Sequence, residues 1–334
     1  MAAAAVVAVS CQKEQLAGTG EQDAVTRFDV SVAEISDAGD GTATRASLIN
    51  TTGDNTHQLS EYLTEFQVAA WEGTSGSTNF IPAYTKVKYK AGGEDGTENY
   101  WSTVNGSDKD VEYLWKKSVT TKTFFACANL PTTTDATAVT NASAASQVLR
   151  YDVSKVATDD LQTDILMAYY SSTSAPDHGL VPLHFYHPLT SVVFKQSEDF
   201  AEDATITGIS IEGVYPSGKT TQTSSTGTLF DWTKTDGSAF AKADETLTVS
   251  LGSVTVDADT KQIGGALLLI PQTFASDGSA RIKVDIDYNG EGLTLYQPLA
   301  GAEWEAGFTN NYVINYTDGK LSIEKLDLYE NKPL

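Results

Sequence analysis

His184 and His187 come nearest to metal chemistry by type and spacing, three residues apart in His184-Phe185-Tyr186-His187. They lie in an alternating apolar run that reads as a strand. On a strand that spacing sends the two imidazoles to opposite faces, which is poor for holding one ion. The other histidines are His57 and His178. Cys11 and Cys127 are the whole cysteine content, and they form no CxxC or zinc pattern. Cys127 sits in Phe124-Phe125-Ala126-Cys127-Ala128, where a cysteine serves as a small buried hydrophobe rather than a reactive thiol. A nucleophile elbow, a P-loop and a dinucleotide fingerprint are all missing from the sequence. Acidic residues are spread so widely that no two stand out as a glycosidase pair. Trp71, Trp101, Trp115, Trp232 and Trp304 could build a platform for sugars, although tryptophans more often fill cores and rims. No residue set points to catalysis, and neither cofactor nor metal is expected.

Two other features concern covalent processing of the chain. Residues 1–10, MAAAAVVAVS, form a short apolar stretch with small residues just before Cys11. This resembles the end of a bacterial lipoprotein signal peptide, so Cys11 is the expected site of lipid attachment. The stretch has no basic residue, and Ala8 stands where such signals more often carry Leu. Gln12-Lys13-Glu14 resembles the Lys-plus-acid signal of surface-exported lipoproteins in Bacteroidetes, or is an ordinary polar linker. Further on, Ala38-Gly39-Asp40-Gly41 opens a loop that runs into Ala43-Thr44-Arg45-Ala46. A lone arginine among small residues is an accessible place to cut, and cleavage is expected between Arg45 and Ala46. Arg27 is the competing site, but it abuts the strand pattern of Phe28 to Val32.

These features must be carried by a β-rich body. The chain has 334 residues, which suggests about two domains. Its hydrophobic content of 40% is enough for real cores. With 22 basic and 44 acidic residues the net charge is 22 − 44 = −22. That argues against nucleic acid and against anionic lipid as partners, since both need clustered Lys and Arg. It fits a soluble, self-repelling surface outside the cytoplasm. No apolar run approaches the ~20 residues that span a bilayer. Phe28, Val30 and Val32 alternate with Asp29 and Ser31, the pattern of a half-buried strand. Short strands then recur between Gly, Ser, Thr and Asn clusters from Leu59 onward, and no segment keeps a helical period. Such spacing predicts sandwiches rather than βαβ units. A long alternating run over Val181 to Lys195 places the domain crossing near residue 182. The expected division is therefore 1–10, a signal-peptide remnant; 11–45, a tether with the first strand; 46–182; and 183–334. Near the C-terminus Leu321 and Ile323 share one alternating phase, and Leu326 and Leu328 the other. A single half-buried strand would put one pair on the wrong face, which predicts a kink near Glu324-Lys325.

In combination and in order, several motifs resemble the fimbrillin-like family of Bacteroidetes, the type V pilus subunits. They are Cys11; the strand followed by Ala43-Thr44-Arg45-Ala46; and Tyr113-Leu114-Trp115 leading to Phe124-Phe125-Ala126. Then come Val181-Pro182-Leu183-His184-Phe185-Tyr186-His187-Pro188-Leu189, Leu269-Ile270-Pro271-Gln272 and Trp304-Glu305-Ala306-Gly307 before Tyr312. The resemblance implies an all-β chain of two transthyretin-like antiparallel β-sandwiches in tandem. It implies a lipid anchor on the outer membrane, then cleavage after Arg45 by a trypsin-like, arginine-specific protease. Loss of the first strand would open a groove that a neighbouring fimbrial subunit fills with a donor strand, here 321–328 through Leu321, Ile323, Leu326 and Leu328. The alternative for that segment is an edge strand closing its own domain. The alternative for the chain is a surface lipoprotein or pilus-tip adhesin that binds glycan or host protein. Relatives often carry a tryptophan near the end, and this chain does not.

Overall fold

The computed structural model describes residues 24–32, 63–73, 78–90, 100–116, 121–130, 137–143, 146–159, 162–176, 179–223, 230–241 and 246–326. Cys11, Arg45, Ala46 and Leu328 lie outside the described residues. The described chain is all-β apart from a 3-10 turn at Val153–Lys155. Short runs of β-branched and aromatic residues, broken by Gly, Asn and Asp turns, dictate this outcome.

The strands of the first half are β1 (Ala24–Val25), β2 (Arg27–Val32), β3 (Glu65–Glu72), β4 (Thr78–Lys90), β5 (Tyr100–Thr103), β6 (Leu114–Trp115) and β7 (Lys122–Ala128). They continue with β8 (Thr137–Ser143), β9 (Ser146–Asp152), β10 (Leu166–Ser172) and β11 (Leu180–Tyr186). Seven of them close into a barrel in the order β10-β11-β2-β5-β4-β3-β7, with β7 pairing back to β10. Closure leaves no free sheet edge. Its core holds Phe28, Phe66, Trp101, Phe124, Leu183 and Phe185 among others. β11 shows why: Val181, Leu183 and Phe185 are buried in the core, while Leu180, Pro182 and His184 alternate with them on the outer face.

The second half adds β12 (Thr190–Gln196), β13 (Ala204–Val214), β14 (Ser217–Thr223), β15 (Trp232–Thr233), β16 (Leu247–Ser250) and β17 (Gln262–Leu269). It ends with β18 (Gln272–Thr273), β19 (Arg281–Tyr288), β20 (Glu291–Pro298), β21 (Glu303–Trp304), β22 (Thr309–Thr317) and β23 (Lys320–Leu326). Two four-stranded sheets, β17-β12-β22-β23 and β16-β13-β19-β20, share one core around Val192, Phe194, Ile211, Leu267, Val284 and Ile314. Chain order and spatial order part company here. β8 and β9, which precede β10 in the chain, form a sheet with β14 and β15 in the order β15-β14-β9-β8, through the pairing of β9 with β14, instead of joining the barrel. Leu149 and Tyr151 of β9 accordingly belong to the second core. The crossing expected near residue 182 falls inside β11, all of which is a barrel strand. The alternation there is continuous because β11 and β12 are both half-buried strands, joined by only His187-Pro188-Leu189.

Candidate functional site: the slot held by the first strand

β2 is tied to the barrel unequally on its two sides. Against β11 it runs parallel over six rungs, from Leu180↔Arg27 to Phe185↔Val32. Against β5 it makes one antiparallel bridge, Phe28↔Trp101. Its alternation is the one read from sequence: Phe28 and Val32 are buried, Val30 is half-buried, and Asp29 is exposed. The Phe28 ring meets Phe66 edge-on at 5.7 Å and Phe124 at 6.3 Å. Burying side chains of this size is worth roughly 1.5–3 kcal/mol each. Taking the strand away would also strip the N–H and C=O row of β11 of its partners, a further cost. The vacated slot would be an apolar groove with an unpaired ladder on one wall, ready to accept another strand.

Polar contacts fix the strand in register. The Arg27 guanidinium lies 4.0 Å from the centroid of the Tyr100 ring. One of its terminal nitrogens is buried without a hydrogen-bond partner. Tyr100 donates its hydroxyl to Asp110 at 3.1 Å, and Asp110 pairs with Lys90 at 3.2 Å. Ser31 Oγ and His184 Nδ1 are 2.7 Å apart, and partial burial of His184 lowers its pKa below the ordinary value of 6.5. Before β2 the chain is closely fitted. Thr26 donates its N–H to Tyr113 at 2.8 Å, and β1 pairs with β6 over the buried Trp115. Gly179 has φ +71°, and a Cβ built there would sit 2.3 Å from the Val25 carbonyl oxygen. Only glycine lets the start of β11 pass that close to the first strand.

The residues singled out from sequence fall in different places. His184 serves β2, whereas His187 is buried with its Nδ1 2.9 Å from Asp164 Oδ1, so the two do not share a site. Trp71, Trp101, Trp115 and Trp304 are core residues, and half-buried Trp232 donates its N–H to the Pro188 carbonyl at 2.8 Å. They form no exposed sugar platform. Cys127 is buried, and burial pushes its thiol up to about 12. Leu321 is half-buried and Ile323 is buried against the second core, in a β23 that pairs with β22 at the outside of its sheet. The ladder runs without a bulge from Thr317↔Lys320 to Asn311↔Leu326, so the kink expected at Glu324-Lys325 is not there. Turn residues explain this: Asp318 and Gly319 adopt positive φ and make a tight hairpin whose register then runs on. Sequence reading missed Tyr100 and Gly179, and it named Trp101 without its pairing to Phe28. Tyr100-Trp101-Ser102-Thr103 is too short a run to show a period, and nothing local pairs residue 28 with residue 181. Lys122 was missed as well, a buried lysine whose Nζ lies 4.4 Å from the Phe80 ring centroid and 3.5 Å from Glu72.

Comparison with known proteins agrees with this architecture. A candidate cell adhesion protein from Bacteroides ovatus superposes with a TM-score of 0.58 at 14% identity, covering 92% of this chain and 99% of that one. One from Bacteroides uniformis gives 0.50 at 14% identity, covering 90% and 96%. Among curated proteins none matches by sequence. A family model described as fimbrillin-like matches residues 44–328, most of the chain. The chain therefore belongs to the fimbrillin-like family, which makes it a fimbrial subunit or adhesin of the cell surface.

Proposed function

We propose that the chain is a structural subunit of a surface fimbria, made as a lipoprotein through Cys11 and activated by a cut between Arg45 and Ala46. An arginine-specific protease makes the cut, and residues 12–45 leave with β2. The slot between β11 and β5 is then refilled by a strand from residues 321–328 of the next subunit. One observation carries this reading: β2 precedes every other barrel strand in the chain. A single cut after it frees β1 and β2 while leaving every other ladder covalently intact. The exposed groove is unfavourable in an isolated subunit, so a replacing strand is bound strongly. The family match opens at residue 44, after β2, which also supports the reading.

N-terminal sequencing of fimbriae sheared from cells, beside the cell-bound precursor, tests it. The polymer is expected to begin at Ala46 and the precursor to carry lipid on Cys11. A polymer beginning at Phe28, or one built of uncut chains, overturns the assignment. Cys11→Ala is expected to abolish lipid labelling and release the protein into soluble fractions. Unchanged membrane association in that variant counts against the anchor.

A further inference from the structure

Residue types in β2 recur near the C-terminus. Arg27-Phe28-Asp29-Val30 runs cation, apolar, aspartate, apolar, and Lys325-Leu326-Asp327-Leu328 repeats that order. The order also occurs at Arg150-Tyr151-Asp152-Val153 and Lys283-Val284-Asp285-Ile286. Those copies lie at the end of β9, running into the turn at Val153, and within β19; both strands are paired on both sides, so neither can leave without breaking two ladders. β23, by contrast, is the outer strand of its sheet and carries the start of the last copy.

The change of apolar phase in this segment points the same way. Leu321 and Ile323 serve the second core, while Ser322 and Glu324 between them are exposed. Leu326 and Leu328 fall in the phase of Ser322 and Glu324. One sheet with one buried face has no use for leucines in both phases. The conflict disappears if the segment serves two bodies in turn. Residues 320–324 stay on β22, and the chain from residue 325 crosses to another copy. Only the rungs Tyr312↔Lys325 and Asn311↔Leu326 then have to open.

We propose that Lys325–Leu328 of a second copy of this chain takes the register of Arg27–Val30, with Lys325 seated on the face of Tyr100 as a cation subsite at the mouth of the slot. The inference rests on the strand-exchange reading, narrows the donor from residues 321–328 to 325–328, and adds the register and the residue that reads it. Leu326 stands opposite Val181 where Phe28 stood, Asp327 faces outward opposite Pro182, and Leu328 stands opposite Leu183. Tyr100 keeps its hydroxyl on Asp110, so the ring face and a nearby carboxylate together favour a cation once Arg27 has gone. The likeness ends at Leu328, since Tyr329 and Glu330 would stand where Ser31 and Val32 do.

A cysteine scan on full-length chains carrying Cys11→Ser reads the register. One copy carries Pro182→Cys; the other carries a cysteine at Ser322, Glu324, Asp327 or Tyr329. After cutting with an arginine-specific protease, the copies are mixed and oxidised. Pro182 and Asp29 are both exposed partners in the resting chain, so these cysteines leave the core and Tyr100 untouched. The disulfide is expected to form most strongly at Asp327. A maximum at Ser322 would put Leu321 in the place of Phe28 and overturn the register while leaving strand exchange standing. Lys325→Glu is expected to slow polymer growth about tenfold, and Lys325→Arg to leave it unchanged. Growth of the Lys325→Glu chain at the unmodified rate overturns the cation subsite. If the cut, unmodified chain forms no polymer at all, the strand-exchange reading fails, and the register with it.

Discussion

At the scale of single residues, the first strand is held by a few side chains whose removal can be measured. Phe28 fills the barrel between Phe66 and Phe124, and truncating it leaves a cavity that the rigid ring of strands cannot close. Phe28→Ala is expected to cost ~3–5 kcal/mol in denaturant unfolding of the uncut chain. A loss below ~1 kcal/mol would mean that the strand does not contribute to the barrel. His184 adds a pH dependence whose sign follows from its lowered pKa. A histidine whose pKa is lowered in the fold binds fewer protons near that pKa than it does unfolded, so stability is full above the ordinary value of 6.5 and falls as pH drops through it. The melting temperature is therefore expected to decline on acidification below that value, and His184→Gln to remove part of the decline. An identical pH profile for the variant would show that the Ser31 link carries no proton-dependent tie.

At the scale of elements, β23 is expected to be divided between two tasks, and truncation separates them. Ending the chain after Glu324 keeps Ile323 against the second core and the rungs from Lys320 to Glu324 on β22. That chain is expected to melt close to the full-length protein and to be cut normally, yet not to polymerise. Ending it after Gly319 removes Leu321 and Ile323 as well, and the melting temperature is expected to fall by several degrees, since each ~1 kcal/mol is worth a few degrees in a chain of this size. Equal melting of the two truncated chains would contradict the division. The sequence made much of this legible, because period-two alternation is a local signal. Phe28–Val32 and Leu321–Ile323 were readable as strands with the correct faces. Pairing is not local. The parallel seat of β2 on β11 joins residues some 150 positions apart, as do Ser31 and His184, 153 positions apart, and no spacing rule reports that. The same blindness hid the migration of β8 and β9 into the second body, since a strand's own pattern says that it has a buried face but not which core receives it.

At the scale of the whole molecule, charge works against the contact that assembly needs. Cutting after Arg45 removes 3 basic and 7 acidic residues, so each cut copy carries 19 − 37 = −18, and two copies repel as they approach, before any strand reaches a slot. The cation subsite on Tyr100 offsets this only at short range, because an exposed charge is screened within about 10 Å at 0.1 M salt. The two effects make opposite demands on ionic strength, and their magnitudes decide the outcome. A single Lys–aromatic contact is worth ~0.5–2 kcal/mol and acts only once the strand has docked. Repulsion between two strongly acidic bodies acts on every encounter and can change association rates by one to three orders of magnitude. Polymer growth from the cut chain is therefore expected to accelerate as salt rises from about 10 mM towards 150 mM, where the screening length shrinks from ~30 Å to ~8 Å. Light scattering across that range, on protein cut to completion beforehand so that protease activity does not enter, measures the slope. With Lys325→Glu the charge of the incoming strand changes sign at the mouth of the slot, and the acceleration is expected to become steeper. Growth that slows as salt rises would mean that local attraction at the slot, rather than the net charge of the copies, controls their meeting.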